Sequence, residues 1–237
     1  MLNIENLNLK IDNQFVLQNI TFSAKPGEIT VITGANGSGK TSLLKAIAGI
    51  CNISSGKIFF GDVNITAHTI TQRANEGLSI AFQHPALFKG ITVQNLLEIA
   101  NKNAKNLDVA CAFLSQVGLC ARDYINREFT STLSGGERKR IELALMLAKG
   151  GAINLFDEPE SGIDMWSFDD LAKIFETLKE QKKVVLIVSH NQKIIEKADN
   201  LIVFDKGQII KMGAPKDVLE HIKQGACTKL AQGGQNA

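Results

Sequence analysis

The sequence has few cysteines, and they are widely scattered. Four of its 237 residues are cysteines, and no two of them form a Cys-x-x-Cys pair: Cys51, Cys111, Cys120 and Cys227. This spacing argues against a disulfide framework and against a zinc site. We therefore expect free thiols in a reducing, cytoplasmic compartment.

Long apolar runs are absent as well. Stretches such as Val184–Val188 and Leu201–Phe204 are far shorter than the roughly 20 residues that a membrane-spanning helix needs. The first residues of the chain are rich in Asn, Glu, Asp and Lys, so we expect no secretory signal segment there. These features predict a protein without a membrane-spanning helix.

The chain also has no large excess of charge of either sign. The chain has 26 Lys and Arg against 24 Asp and Glu, which gives a formal net charge of +2. A nucleic-acid-binding domain would show a strong basic excess, so we expect no nucleic-acid partner. The apolar fraction of 44% and the charged fraction of 21% are typical of globular proteins and exclude wholesale disorder.

Hydrophobic patterning predicts an α/β fold. Alternating apolar residues predict two half-exposed antiparallel strands at Leu2–Leu9 and Val16–Phe22. The apolar run Ile29–Thr33 predicts a strand that is buried on both faces and is followed by a turn and a helix. Strands and helices then alternate, which indicates a mainly parallel sheet covered by helices. The later predicted elements are Lys57–Gly61, Leu78–Phe82, Arg138–Lys149, Ile153–Phe156, Ser167–Gln181, Val184–Val188, Gln192–Lys197, Leu201–Phe204 and Gln208–Lys211.

One segment departs from this alternation. Residues Val93–Asn103 and Val109–Val117 have helical apolar spacing with no strong strand signal between them. We therefore predict a single domain over residues 1–237, with an α/β core at 1–83 and 134–225. A helical subdomain is inserted at about 84–133, and residues 226–237 form a polar tail.

The turn after the buried strand fits the P-loop pattern Gly-x4-Gly-Lys-Ser/Thr. Backbone N–H groups of such a loop point at phosphate oxygens, and the positive end of the following helix dipole adds to the attraction. Lys40 would bridge the β- and γ-phosphates, and the Thr41 hydroxyl would hold Mg²⁺. The predicted nucleotide-binding residues are Gly34, Ala35, Asn36, Gly37, Ser38, Gly39, Lys40, Thr41 and Ser42.

Polar residues follow three further predicted strands. Asp157 and Glu158 end the strand Ile153–Phe156, at the edge where open α/β sheets bind ligands. Asp157 could accept a hydrogen bond from Mg²⁺-bound water, and Glu158 could orient or deprotonate the attacking water. Gln83 follows the strand Leu78–Phe82 and could contact the metal or water. His190 comes just after the strand Val184–Val188 and could hydrogen-bond the γ-phosphate. Taken singly, Gln83 and His190 could equally be surface or hinge residues.

A second candidate anion site begins at Ser134. Ser134 and Glu137 have the spacing of a capping box at the start of a helix. The glycines Gly135 and Gly136 leave backbone N–H groups bare at that helix N-terminus. Because the chain has one P-loop, this second receptor predicts contact with the nucleotide of another chain. The basic run Arg138–Arg140 then predicts a solvated helix face.

Together, these motifs resemble those of an ABC-type ATPase over nearly the whole chain. The matching elements, in order, are Gly34–Thr41, Gln83, Leu133–Glu137, Phe156–Glu158, Ser161–Asp164 and His190. The resemblance implies a P-loop NTPase fold of the ABC ATPase type, with an N-terminal antiparallel β subdomain. It also implies a head-to-tail homodimer that binds two ATP molecules with Mg²⁺.

The same resemblance implies roles for the individual residues. Glu158 would be the catalytic base, with His190 and Lys40 as further catalytic residues. The helical segment 84–133 would dock a partner, with Gln83 as its hinge. The implied Mg²⁺ ligands are Thr41, Gln83 and Asp157, and the residues implied to act on the partner's nucleotide are Ser134, Gly135, Gly136 and Asp164.

One family feature is missing near the second strand. Many such ATPases stack adenine on an aromatic residue a few positions before that strand. Alignment puts this position near Ile11, and Phe15 lies about four residues later. We therefore expect adenine to be held more loosely, by apolar contact.

Local motifs resemble SufC, the ATPase of iron–sulphur cluster assembly, and this implies a soluble SufB- or SufD-type scaffold as the partner. Pro159, however, is typical of transporters, and the segment between Gln83 and Ser134 is shorter than in common SufC proteins. One alternative is the ATP-binding subunit of an ABC membrane transporter, bound to a permease at the inner membrane. Another is a nucleotide-gated interaction module that does not hydrolyse ATP. The SufC-like motifs are Arg73–Gly77, Ala81–Pro85, Gly136–Arg140 and Ser161–Gly162.

Overall fold

The computed structural model describes residues 1–162 and 168–220. Asp164 and the predicted tail 226–237 therefore lie outside the described residues. The strands are β1 (Leu2–Ile11), β2 (Gln14–Ala24), β3 (Ile29–Gly34), β4 (Ser55–Phe60), β5 (Val63–Asn64), β6 (Leu78–Ala81), β7 (Ile153–Asp157), β8 (Val184–Val188), β9 (Asn200–Asp205) and β10 (Gln208–Gly213). The helices are α1 (Lys40–Ile47), α2 (Ile70–Asn75), α3 (Val93–Ala100), α4 (Leu107–Gln116), α5 (Ala121–Tyr124), α6 (Gly135–Lys149), α7 (Phe168–Glu180) and α8 (Gln192–Glu196).

The N-terminal strands form a separate antiparallel sheet in the order β2-β1-β4-β5. Strand β1 turns into β2 through Asp12 and Asn13, which have φ values of 49° and 61°. Two consecutive left-handed residues match the right-handed twist of a hairpin, and Asp and Asn tolerate that conformation. The predicted antiparallel strands are confirmed.

The second sheet has the order β10-β9-β3-β8-β7-β6, and all its strands except β10 run parallel. In β8, alternate side chains enter two different apolar clusters, one on each face of the sheet. This burial on both faces is why the sequence of Val184–Val188 is apolar throughout. The predicted α/β fold with two kinds of sheet is confirmed, and the parallel strands end at one shared edge.

Helices α3, α4 and α5 occupy the chain between β6 and α6. Helices α3 and α4 lie in the two segments whose apolar spacing predicts helices, and α5 was not predicted. The predicted helix Val93–Asn103 ends earlier, at Ala100. Asn101 takes an extended conformation and its side chain accepts from the backbone N of Asn103, so a short 3-10 helix, Lys102–Lys105, begins there. None of the described helices is long and apolar enough to cross a membrane.

Helix α2 is absent from the sequence-based prediction. Thr69 and Gln72 form a capping box at its start, a signal that the sequence carries. The buried Arg73 on this helix donates to the carbonyl oxygens of Ala46 and Ile47 at 2.8 and 2.7 Å. These bonds satisfy acceptors at the C-terminal end of α1 and fix the helix that follows the P-loop.

Candidate active site

The loop between β3 and α1 leaves the start of α1 uncapped. Helix α1 begins at Lys40 after Gly39, with no side-chain cap and no acidic residue in its first turn. Gly39 has φ 102°, and an added Cβ would lie 2.8 Å from the carbonyl oxygen of Val16. Only glycine fits there without displacing the backbone. The free N–H groups of this turn can therefore receive an anion.

The ammonium group of Lys40 lies across this loop. Its Nζ donates to the carbonyl oxygens of Gly34 and Ala35, both at 2.8 Å. Burial lowers the pKa of Lys40, while the nearby carboxylates of Glu158 and Asp157 oppose that effect. Its hydrogen bonds go to neutral carbonyl groups, and phosphate oxygens would be stronger acceptors for a cation.

Thr41 and Asp157 bring two oxygen donors together. The Thr41 hydroxyl donates to Asp157 Oδ1 at 3.0 Å, and Asp157 is only 3% exposed. Burial raises the pKa of Asp157, and the Thr41 hydrogen bond partly counters that shift. A buried carboxylate beside a hydroxyl is a donor set that suits Mg²⁺, which prefers oxygen ligands. These residues fit the metal that the motifs imply.

The carboxylate of Glu158 has a polar neighbour on each side. Gln83 donates from Nε2 to Glu158 Oε2 at 2.6 Å, and His190 Nε2 lies 3.9 Å from Glu158 Oε1. The backbone of Glu158 has φ 45°, a left-handed conformation that costs a non-glycine residue about 1–2 kcal/mol. Such strain occurs at functional sites, where the surrounding structure fixes a side chain in place. The carboxylate therefore has a defined position.

A polar cleft of about 450 Å³ collects most of the predicted site residues. Sequence reasoning missed one lining residue, Val16, which adds an apolar side chain to this cleft; its place immediately before the buried Leu17 gave no distinctive signal. Ile11 and Phe15 are 49% and 48% exposed, and Lys10 Nζ lies 4.3 Å from the Phe15 ring centre. The lining residues are Val16, Asn36, Gly37, Gly39, Lys40, Thr41, Ser42, Gln83, Glu158 and His190.

Ser134 caps helix α6 at a second cleft. Its hydroxyl accepts from the backbone N of Glu137 at 3.2 Å, and Glu137 Oε2 accepts from the backbone N of Ser134 at 2.7 Å. Gly136 packs close to Gly162, because a Cβ on Gly136 would lie 3.0 Å from the carbonyl oxygen of Gly162. The second cleft also includes Tyr124, and its described lining residues do not overlap those of the first.

The prediction of a solvated basic face on α6 is wrong for Lys139. This side chain is 1% exposed, and its Nζ donates to the carbonyl oxygen of Phe82. Glu142 lies one turn further along the helix, with Oε2 at 3.1 Å from Nζ. An acidic residue three positions after a lysine is the sequence signal that could have identified this pair.

Asn154, the polar residue inside β7, has a partner. Its Nδ2 donates to the carbonyl oxygen of Gly151 at 3.0 Å. The residue therefore ties the start of its own strand to the loop before it, and it lies away from the carboxyl end of β7 where Asp157 is found.

Comparison with known proteins links the chain to one family over most of its length. The sequence profile of the ABC transporter family matches residues 17–161. The chain is 36% identical over 245 residues to an uncharacterized ABC transporter ATP-binding protein of Methanocaldococcus jannaschii, covering 99% of this chain and 98% of that protein. It is 32% identical over 241 residues to the probable ATP-dependent transporter ycf16 of Antithamnion sp., covering 95% and 96%.

Solved structures share the fold. The chain resembles the dimeric ATP-binding cassette MJ0796, in a post-hydrolysis state bound to ADP and phosphate, with a TM-score of 0.82. The two sequences are 21% identical, and the match covers 91% of this chain and 99% of that chain.

Proposed function

Because the chain belongs to the ABC transporter family of ATP-binding proteins, we propose that two copies hydrolyse ATP together. Each ATP is bound between the P-loop of one copy and Ser134, Gly135 and Gly136 of the other. Asp164 lies outside the described residues, and we propose for it the role that the motif resemblance implies, contact with the nucleotide of the other copy.

The separation of the two anion receptors carries this proposal. The P-loop, Gln83, Glu158 and His190 line one cleft, and Ser134 lines another. A phosphate in the first cleft therefore lacks the backbone amides of the second. A second copy in head-to-tail orientation would supply them, and the two copies together would form two equivalent sites.

Glu158 is assigned as the base that orients and deprotonates the attacking water. The hydrogen bond from Gln83 Nε2 aims the carboxylate and leaves the Gln83 Oε1 for the metal. Lys40 would exchange its loop carbonyls for the β- and γ-phosphate oxygens, and His190 would donate to the γ-phosphate. Mg²⁺, held by Thr41, Asp157 and Gln83, would neutralise charge on the phosphates when bound.

Glu158→Gln tests the proposal. The amide cannot accept the proton of the attacking water, so we expect turnover to fall by about 100-fold or more while ATP binding is retained. ATP should then hold two copies together, which sedimentation measures directly. Glu176→Gln is the matched control, because Glu176 pairs with Lys197 on an exposed surface. Wild-type turnover in the Glu158 variant would contradict the assignment.

An apolar groove of about 550 Å³ supports the proposal that the chain binds a partner protein, whose conformation ATP hydrolysis would change. It lies between the α/β core and the helical subdomain and includes Phe82, the residue before Gln83. Ile99 in this groove is 75% exposed, and it is one of several exposed apolar residues that line the same groove, a pattern that marks interaction sites. We assign the groove to an apolar helix of a partner chain. Its other exposed apolar lining residues are Ile50, Ile70 and Phe88.

The names of the relatives favour a membrane permease as this partner, because both are described as transporter proteins. The chain would then be the ATP-binding subunit of an ABC transporter. The second candidate is a SufC-like role with a soluble SufB- or SufD-type scaffold. It is supported by the pair Ser161–Gly162, which differs from the Thr-Ser-Ala-Leu sequence typical of importers, and by the SufC-like run Gly136–Arg140.

Isolation of the native complex separates the two candidates. A copurifying chain with several apolar spans of about 20 residues would identify a permease, and a β-rich chain without such spans would identify a scaffold. Ile99→Asp should release that chain, since it puts a charge into the apolar groove. Leu107→Asp is the matched control, because Leu107 is exposed but does not line the groove. Equal retention by both variants would contradict the groove assignment.

A further inference from the structure

Both backbone polar groups of Phe82 are bound by side chains of helix α6. The N–H of Phe82 donates to Glu142 Oε1 at 2.9 Å, and its carbonyl oxygen accepts from Lys139 Nζ. The two side chains also pair with each other at 3.1 Å. We refer to Lys139, Glu142 and the Phe82 backbone as the Phe82 clamp.

Joining a helix to a strand through this buried ion pair has a high desolvation cost. Lys139 is 1% exposed and the Glu142 side chain 13%, and removing two charges from water costs more than an apolar contact of similar size. Burial accordingly raises the pKa of Glu142. Leu143 and Ala144 of the same helix already pack in the apolar core with Ala81. The helix therefore has apolar contacts that dock it without the ion pair.

The clamp lies next to three functional parts of the protein: Gln83, helix α6 and the apolar groove. Phe82 directly precedes Gln83, whose Nε2 contacts Glu158. Helix α6 carries the clamp and directly follows its cap residue Ser134, which the proposed function assigns to the nucleotide of the other copy. Phe82 and Glu142 also line the apolar groove. A displacement of α6 would pull directly on the peptide before Gln83.

We propose that Lys139 and Glu142 are positioning residues that tie Gln83 to helix α6, so that movement of α6 sets the contact between Gln83 and Glu158. This inference rests on the proposed function, because it assumes that Glu158 acts on ATP. In this arrangement, engagement of α6 by a second copy aligns Glu158 in the first cleft. The clamp acts on kcat, since neither side chain lines the nucleotide cleft.

The test replaces the ion pair as a unit, because Lys139→Met alone would leave a buried carboxylate unpaired. Lys139→Met combined with Glu142→Leu removes both charges together and leaves the N–H and the carbonyl oxygen of Phe82 without these side-chain partners; apolar replacement of a buried ion pair is often neutral for stability. We expect kcat to fall about tenfold, because small misplacements of a catalytic group cost that much or more. The KM for ATP should stay within about twofold of the wild type, because the replacement removes no residue that lines the nucleotide cleft.

A lysine on the same helix provides the matched control. Lys149 Nζ donates to the carbonyl oxygen of Leu78 at 2.7 Å, at the other end of β6 from Gln83. Lys149→Met therefore removes a similar helix-to-strand contact without touching the clamp, and we expect wild-type kcat. An equal loss in Lys149→Met would mean that helix docking in general is responsible, and it would overturn the proposal.

A double-mutant cycle with Gln83→Ala gives a readout that a merely structural role would not produce. If the clamp acts through Gln83, the clamp replacement should have no further effect on kcat in the Gln83→Ala background. Effects that multiply would overturn the proposal. If the double replacement does not fold, Glu142→Ala removes the acceptor of the Phe82 N–H, and its kcat should fall severalfold at unchanged KM; wild-type kcat would overturn the proposal.

The outcome is separable from that of the proposed function. Turnover that survives Glu158→Gln would remove the proposed function whatever the clamp variants do. If Glu158→Gln is inactive and a folded clamp replacement has wild-type kcat, the clamp inference alone is overturned.

Discussion

Tyr124 donates a 2.6 Å hydrogen bond from its hydroxyl to Oε1 of Glu137. This bond, together with the bonds to Ser134, lowers the pKa of Glu137. The other carboxylate oxygen of Glu137 accepts from the backbone N of Ser134. Tyr124 lies on α5, so a residue outside α6 fixes the turn that presents Ser134.

Tyr124→Phe should therefore weaken ATP-driven pairing of two copies. A hydrogen bond to a charged group contributes about 1.5–3 kcal/mol, so we expect the dimer dissociation constant to rise by roughly tenfold or more. The measurement is sedimentation in the Glu158→Gln background with saturating ATP. Binding of a fluorescent ATP analogue by the single subunit serves as the control and should not change. An unchanged dimer dissociation constant would show that Tyr124 does not order this turn.

Asp157 links stability to pH in the nucleotide-free protein. Burial raises its folded-state pKa above the ordinary value of 3.8, so the folded state holds its proton more tightly than the unfolded state. The unfolding free energy contributed by this group therefore decreases as pH rises from below 3.8 through the folded-state pKa.

Asp157→Asn should accordingly stabilise the nucleotide-free protein at pH 7, by a few degrees in Tm. The gain should shrink toward zero as pH falls toward 3.8, where the wild-type carboxyl is protonated too. The same variant should lose Mg²⁺-dependent turnover. Thermal unfolding across this pH range measures the first effect, with the exposed Asp62→Asn as control. A pH-independent difference would mean that burial of the charge is not the cause.

Adenine recognition offers a gain-of-function test. The motif resemblance predicts the adenine-stacking aromatic position near Ile11, which is exposed, so Ile11→Tyr can be accommodated at the surface. Stacking of a base on an aromatic ring contributes about 1–3 kcal/mol, and we expect at least fivefold tighter ATP binding. Isothermal titration measures the change. Phe15→Tyr is the control that should bind ATP as the wild type does, and equal gains in both would contradict the alignment.

The fold and the P-loop were predictable because both depend on local sequence. The apolar run Val184–Val188 by itself indicates a strand that is buried on both faces. Gly39 and Lys40 likewise indicate a phosphate-binding loop without information from the rest of the chain. The contact between Gln83 and Glu158 joins residues 75 positions apart, and only the parallel order of β6 and β7 brings them together. Because both residues follow the carboxyl ends of strands, the sequence predicted that Gln83 and Glu158 lie close together. It did not predict that Gln83 donates a hydrogen bond to Glu158.

Other features could not be derived because tertiary contacts override local signals. The spacing of Lys139 and Glu142 could indicate an ion pair, but not that this pair is buried, because the burial comes from the end of β6 that lies over Lys139. Val16 reads as an ordinary strand residue, and its place at the nucleotide cleft depends on how β2 packs over Gly39. Asn101 ends helix α3 because its side chain caps the next turn, which competes with helical apolar spacing.

The central claim is that each active site is shared between two copies. Mixing two inactive variants tests it most directly: Lys40→Met lacks the P-loop cation, and Ser134→Arg blocks the second anion receptor. A mixed dimer contains one site with both defects and one site with neither. We therefore predict that each variant alone is inactive and that an equal mixture recovers about a quarter of wild-type turnover, as random pairing in a two-fold dimer requires. Wild-type turnover by Ser134→Arg alone, or no recovery in the mixture, would contradict the account.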